Sequence, residues 1–137
     1  MSLLHEILDV HPQRIQMDKD VVSECISQLC SCRNVCIVCA DACLASPDVK
    51  DMTRCVRSSL DCGDICGITA EVLLRQIEPN WKLSRKLLEA CIATCRICGE
   101  ECQKHADEHE YCRVCAKACR ITEDTTEKLL QEVAAAW

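Results

Sequence analysis

Sixteen cysteines in 137 residues are the groups of this chain whose type and spacing could do chemistry. Six pairs are spaced Cys-x-x-x-Cys (32/36, 39/43, 62/66, 91/95, 98/102 and 115/119), and Cys-x-x-Cys spacings at 36/39, 95/98 and 112/115 join them into ladders. Soft thiolates select Cu(I), Zn(II) or Fe–S clusters. On a helix, residues i and i+4 stand roughly 5–6 Å apart at Cβ, so each such pair offers two sulfurs on one face. Their Cα–Cβ vectors run parallel, which suits a disulfide badly.

Each residue of a helix advances about 100° around its axis. With Cys25 at zero, Cys32, Cys36, Cys39 and Cys43 fall at about −20°, 20°, −40° and 0°. Cys55, Cys62 and Cys66 lie within about 40° of one another, with Met52, Ser59, Thr69 and Leu73 on the same face. Cys91, Cys95, Cys98 and Cys102 make a third stripe, and Cys112, Cys115 and Cys119 a fourth. Cys30 stands alone, about 140° off the first stripe. Leu, Ile and Val would fill such seams better, yet Ile26, Ile37, Val56, Ile65, Ile92 and Ile97 flank the stripes instead.

A thiolate-lined metal core therefore accounts for the pattern, because bundles build metal sites from facing side chains. Zn(II) wants four ligands, and each tetrathiolate carries a net charge of about −2. No Lys, Arg or His lies on a stripe between its cysteines to offset such charge, and burying it is costly. Cu(I) with about one thiolate per ion is neutral and suits soft sulfur. Fe–S ligation usually draws its cysteines from compact Cys-x₂-Cys runs. Charge favours Cu(I). A thiol redox-responsive protein and a Zn(II) or Cd(II) buffer of metallothionein type stay open as alternatives.

Two histidines extend the ladders. His105 falls at about −40° on the Cys91 stripe, one turn beyond Cys102, and His109 comes one turn before Cys112. Both are candidate metal ligands, neutral imidazole being a good one for copper. His5 and His11 read as solvated.

The elements that must position these groups are helices. Gly and Pro number three each and aromatic residues are 2 % of the chain, which argues against sheets and loop-rich knots. The fold expected is all-α: an antiparallel up-down four-helix bundle with a short N-terminal amphipathic helix, one domain over 1–137. The short helix covers about 3–10 and stops at His11-Pro12. Long helices follow over about 18–44 (capped by Asp18 or Asp20), 47–78, 80–104 (capped by Asn80) and 108–133. Ser46-Pro47-Asp48 supplies a cap, a first-turn proline and a first-turn acid, and Asp107 with Glu110 fits a capping box.

A net charge of −6 without a basic run disfavours nucleic acid or an anionic membrane as partner. No apolar stretch approaches the roughly 20 residues of a membrane span. The start, Met-Ser-Leu-Leu-His-Glu-Ile-Leu-Asp, lacks the features of a signal peptide, so the expected compartment is reducing cytoplasm. No nucleophile–base pair stands apart from the thiols, so the expected role is storage or buffering and not enzymatic.

These residues resemble the cytosolic branch of the copper-storage proteins. The likeness runs through His11-Pro12-Gln13, Cys-x-x-Cys-Ala-Asp-Ala-Cys-Leu at 36–44 and Leu-Asp-Cys at 60–62. It continues in Cys-x-x-Cys-x-x-Glu-Cys at 95–102 and in His105…His109-Glu110-x-Cys112-Arg113-x-Cys115. The resemblance implies a homotetramer, many Cu(I) ions held at intrahelical Cys-x-x-x-Cys sites, and histidines near an open end that assist loading, with His105 and His109 on the matching positions. Thr122 and Thr126 stand where members often carry further cysteines, and Tyr111 where a third histidine can occur, which implies somewhat fewer sites.

The two ends of the bundle should differ. Most thiols lie toward the end where 44–47 and 104–108 turn. At the other end the stripes become Leu73, Leu87, Leu88, Thr126 and Leu130 with Cys25 alone, and the N-terminal segment is expected to plug it. Copper is expected to arrive at the turn end. Ile121 and Val114 point away from the last stripe, a candidate contact between copies.

Overall fold

A computed structural model describes residues 2–136 as five α-helices with no strand among them. These are α1 (Leu3–Val10), α2 (Lys19–Leu44), α3 (Thr53–Leu74), α4 (Trp81–Lys104) and α5 (Glu110–Ala136). Side chains that satisfy orphan amides set several starts. Ser2 accepts from His5 N, the Asp18 carboxylate accepts from Asp20 N and Val21 N, and Asn80 accepts from Leu83 N.

The boundaries of two expected helices are corrected. The helix placed over 47–78 opens instead as a 3₁₀ turn, Val49–Met52, and becomes α-helical at Thr53. Val49 N bonds Ser46 O at 3.2 Å and Asp51 N bonds Asp48 O at 2.9 Å, both i to i+3. The Ser46 hydroxyl donates to the Asp48 carboxylate instead of capping, so the expected cap is not made. That helix also ends early, at Leu74, where Gln76 Nε2 donates to Leu73 O at 2.6 Å. Glu78 then takes a left-handed φ of 48°; Pro79 behind it disfavours the right-handed helical region. The helix placed over 108–133 runs from Glu110 to Ala136. His109, not Asp107, leads into it, its carbonyl accepting from Cys112 N at 3.1 Å and Arg113 N at 3.3 Å.

α2 packs against α3 and α5, and α4 packs against the same two helices, which closes the up-down ring. Inside it the core has two halves. Toward the far end lie Val22, Ile26, Leu29, Leu73, Leu88, Leu129 and Val133, all buried. Leu129 takes the place expected of Leu130, which is only partly buried. Toward the turns the core is thiol, closed by Met52 at 0 % exposure. Short cysteine side chains bring the helices close. A Cβ on Gly99 would stand 3.3 Å from Cys119 Cβ, so that position is near its limit.

The far-end cover also differs from expectation. α1 buries Leu8 but leaves Leu3, Ile7 and Val10 exposed. It is tied to α2 by His5 with Asp20 and by Asp9 with Lys19. The segment after it does the covering. Met17 is buried in the core cluster, Trp81 Nε1 donates to Gln16 Oε1 at 3.2 Å, and Asp18 N donates to Glu132 Oε2 at 3.3 Å. α2 is long and apolar enough by length and composition to cross a membrane. This corrects the expectation that no stretch comes near a span. Much of that apolar character belongs to cysteines that here face α3 and α5.

Candidate metal centre

The fifteen stripe cysteines are buried and Cys30 is exposed, and all sixteen are free thiols. The period of the stripes explains the placement: residues three and four apart share a helix face, and each face turns inward. Within helices, Cys32–Cys36, Cys62–Cys66 and Cys98–Cys102 bring Sγ atoms to 3.8, 3.9 and 3.9 Å. Between helices, Cys36–Cys115, Cys55–Cys102 and Cys62–Cys95 stand at 3.8, 3.6 and 3.9 Å.

These contacts build groups whose sulfurs all lie within 4.8 Å of one another. At the turn end Cys39, Cys43, Cys55 and Cys112 form one, and Cys39 also belongs to a set with Cys102 and Cys115. Cys115 joins Cys36, Cys98 and Cys119; Cys36 and Cys119 join Cys32 and Cys62; those two join Cys66 and Cys95. The groups share members from one end to the other. Neighbouring groups can therefore share sulfurs between ions, while three of them (Cys39, Cys43, Cys55, Cys112; Cys36, Cys98, Cys115, Cys119; Cys32, Cys62, Cys66, Cys95) have no member in common.

The last sulfurs are set apart. Cys91 Sγ donates to Thr69 Oγ1 at 3.0 Å, and Cys25 Sγ to Thr126 Oγ1 at 3.9 Å. Ser59, which the sequence marked only as filling a face, lies 3.6 Å from Cys98 Sγ and 3.9 Å from Cys102 Sγ.

Protons are unevenly shared along the ladder. Burial pushes the Cys25 thiol up to about 12 and raises Cys43 and Cys112 as well. A hydrogen bond from Cys119, with others from Cys36 and Cys66, holds Cys62 down to about 6. Among the described residues the buried polar and charged set contains no Lys, Arg or His, and its one charged member is the acid Glu101. The core thus has no cation to balance a cluster of excess negative charge.

The turn end carries both candidate histidines. His105 is the C-cap residue of α4, and its Nε2 lies 3.2 Å from Glu101 Oε2. His109 reaches across to the other turn, with Nε2 3.3 Å from Asp48 Oδ2 and Nδ1 3.1 Å from Tyr111 Oη. Hydrogen bonds from Ser46 and then from His109 hold the Asp48 carboxyl below its usual range. The sequence marked Asp48 as a first-turn acid and Glu101 only as part of the 95–102 motif, without a role at His105. The signal available for Glu101 was its position one turn before His105.

Comparison with known proteins fits this geometry. The copper storage protein family matches residues 18–131. A copper storage protein of Streptomyces lividans, Ccsp, loaded with 10 copper equivalents, superposes with a TM-score of 0.92 at 40 % identity, over 94 % of this chain and 98 % of that one. The same cytosolic protein with five coppers gives 0.80 at 44 % identity, over 82 % and 93 %. The cysteine-rich protein YhjQ of Bacillus subtilis is 30 % identical over 94 residues, 69 % of this chain and 82 % of its own length. A ladder of buried thiols in an all-α bundle, a family match over most of the length and a near-complete superposition agree, and the chain belongs to the copper storage protein family.

Proposed function

We propose that this chain, as one four-helix-bundle domain, stores or buffers many Cu(I) ions on the thiolates of Cys25, Cys32, Cys36, Cys39, Cys43, Cys55, Cys62, Cys66, Cys91, Cys95, Cys98, Cys102, Cys112, Cys115 and Cys119, with His105 and His109 assisting at the turn end. The observation that carries the reading is a run of member-sharing thiol groups through a core with no buried cation. Cu(I) at about one thiolate each leaves such a core neutral, and soft sulfur selects it. Zn(II) at four thiolates each would leave about −2 per ion. The role is binding and release, not catalysis. Cytoplasmic residence agrees with the cytosolic relative and with sixteen unpaired thiols. Exposed Val114 and Ile121 on α5 support assembly of copies, as a tetramer by family resemblance.

The test is an anaerobic Cu(I) titration against a high-affinity competing chelator. Fifteen thiols plus histidine positions predict on the order of 15–20 ions per chain. Saturation near four would instead indicate isolated tetrathiolate sites of the Zn(II) kind.

A further inference from the structure

The two turn-end histidines are held by carboxylates, but their free nitrogens meet different fates. His105 Nε2 faces Glu101 Oε2 at 3.2 Å, and that carboxylate is itself only 8 % exposed. An ionised carboxylate can only accept, so Nε2 carries the proton and Nδ1 keeps its lone pair. Glu101 is the one partner of the His105 ring among the described residues. His109 is oriented in the same sense by Asp48, which the Ser46 hydroxyl steadies. Its Nδ1, however, already accepts the Tyr111 hydroxyl at 3.1 Å, the two rings stacking with centroids 5.1 Å apart.

We propose that Glu101 and Asp48 are positioning residues that fix Nδ1 as the metal-accepting atom of His105 and His109, and that the Tyr111 hydroxyl latches the second, so that arriving Cu(I) is taken by His105 before His109. This rests on the copper-storage reading above. Partners of this kind set the tautomer and ring orientation of a ligating histidine, and losing one typically costs 10–100-fold in metal affinity or activity. No covalent bond of the protein changes. Copper reaching His109 Nδ1 displaces one neutral hydrogen bond, a penalty of about fivefold.

Tyr111→Phe keeps the ring and removes the hydroxyl. Transfer of the first Cu(I) equivalents from a chelator complex should become up to about twofold faster, because the unlatched His109 then receives alongside His105 instead of about fivefold more slowly, with total capacity unchanged. The gain should vanish in Tyr111→Phe/His109→Ala. Glu101→Gln should slow the first transfer by about tenfold or more, and Glu101→Asp should restore part of it. Nitrogen-15 NMR of the metal-free protein supplies a readout independent of copper: both rings should be Nε2–H tautomers, and Glu101→Gln should perturb His105 alone. An Nδ1–H tautomer at either wild-type ring overturns the positioning role. A Tyr111→Phe rate equal to wild type, at normal capacity, overturns the latch. A wild-type chain that took up no Cu(I) would instead overturn the storage reading on which both depend.

Discussion

At the scale of single residues, the proton inventory decides what copper must displace. Burial holds Cys25, Cys43 and Cys112 protonated at neutral pH, whereas Cys62, held down to about 6, is largely thiolate there. A metal binds the deprotonated form, so every raised thiol that takes Cu(I) must release its proton. Loading at pH 7 should therefore acidify a weakly buffered anaerobic solution by fewer protons than there are thiols, because Cys62 and the likewise lowered Cys32, Cys39, Cys91 and Cys98 have little to give. Apparent affinity should rise with pH through the whole range below the raised thiols, and the Cys62 share should appear only below about 6. An indicator dye recorded alongside the titration measures the release; none at all would mean that the thiolates exist before copper arrives. In the proposed reading the histidines contribute at this scale through rate. Replacing both His105 and His109 with Ala should slow uptake while removing at most about two ions, since the sulfur ladder below them keeps its own ligands.

At the scale of elements, the helices must stand before copper binds, and the aliphatic half of the core is what holds them. Leu29, Leu88 and Leu129 are each 0 % exposed at the end away from the turns. Leu88→Ala or Leu129→Ala should cost the metal-free protein roughly 2–5 kcal/mol, seen as a lower melting temperature by circular dichroism. Copper should then raise that temperature by mass action without adding helix. A metal-free chain with a coil spectrum would show that the thiol half dominates folding. The stripes were legible in the sequence because a helix repeats its face every three to four residues and cysteine is otherwise rare. The opening of α3 was not. Ser46 and Asp48 carry an ordinary capping signature, but Ser46 donates to Asp48 and Asp48 turns to His109 sixty-one residues away. Local spacing holds no sign of that partner. The face of α1 was misread for a related reason: Leu3, Ile7 and Val10 form an apolar set, and only packing shows that Met17 and Gln16, not they, close the bundle.

At the scale of the whole molecule, the two ends differ in a way that would give copper a direction. From Cys43 and Cys112 the shared groups lead inward to Cys66 and Cys95, with Sγ contacts of 3.6 to 4.0 Å along the way. Beyond lie Cys91 on Thr69, Cys25 on Thr126, and then Leu88, Leu129 and the cover, where a single soft group, the Met17 thioether, stands in place of a thiol ladder. An ion can therefore step from thiol to thiol from the turn end, while the far end offers a dry aliphatic layer. Two double variants that remove the same number of thiols separate direction from capacity. Cys39 and Cys55 connect the outermost group to the interior, through the set with Cys102 and Cys115 and through the 3.6 Å contact with Cys102. Cys66 and Cys95 sit at the inner end of the run. Both Cys39→Ala/Cys55→Ala and Cys66→Ala/Cys95→Ala should lose about two ions at one thiolate per Cu(I). The outer pair should also fill its interior slowly from a Cu(I)–chelator complex, whereas the inner pair should load at the wild-type rate until it saturates. Cys25→Ala should lose at most about one ion and change no rate. Equal filling rates in the two double variants would mean that copper reaches the interior by some path other than the turn end, through the far-end cover or between parted helices.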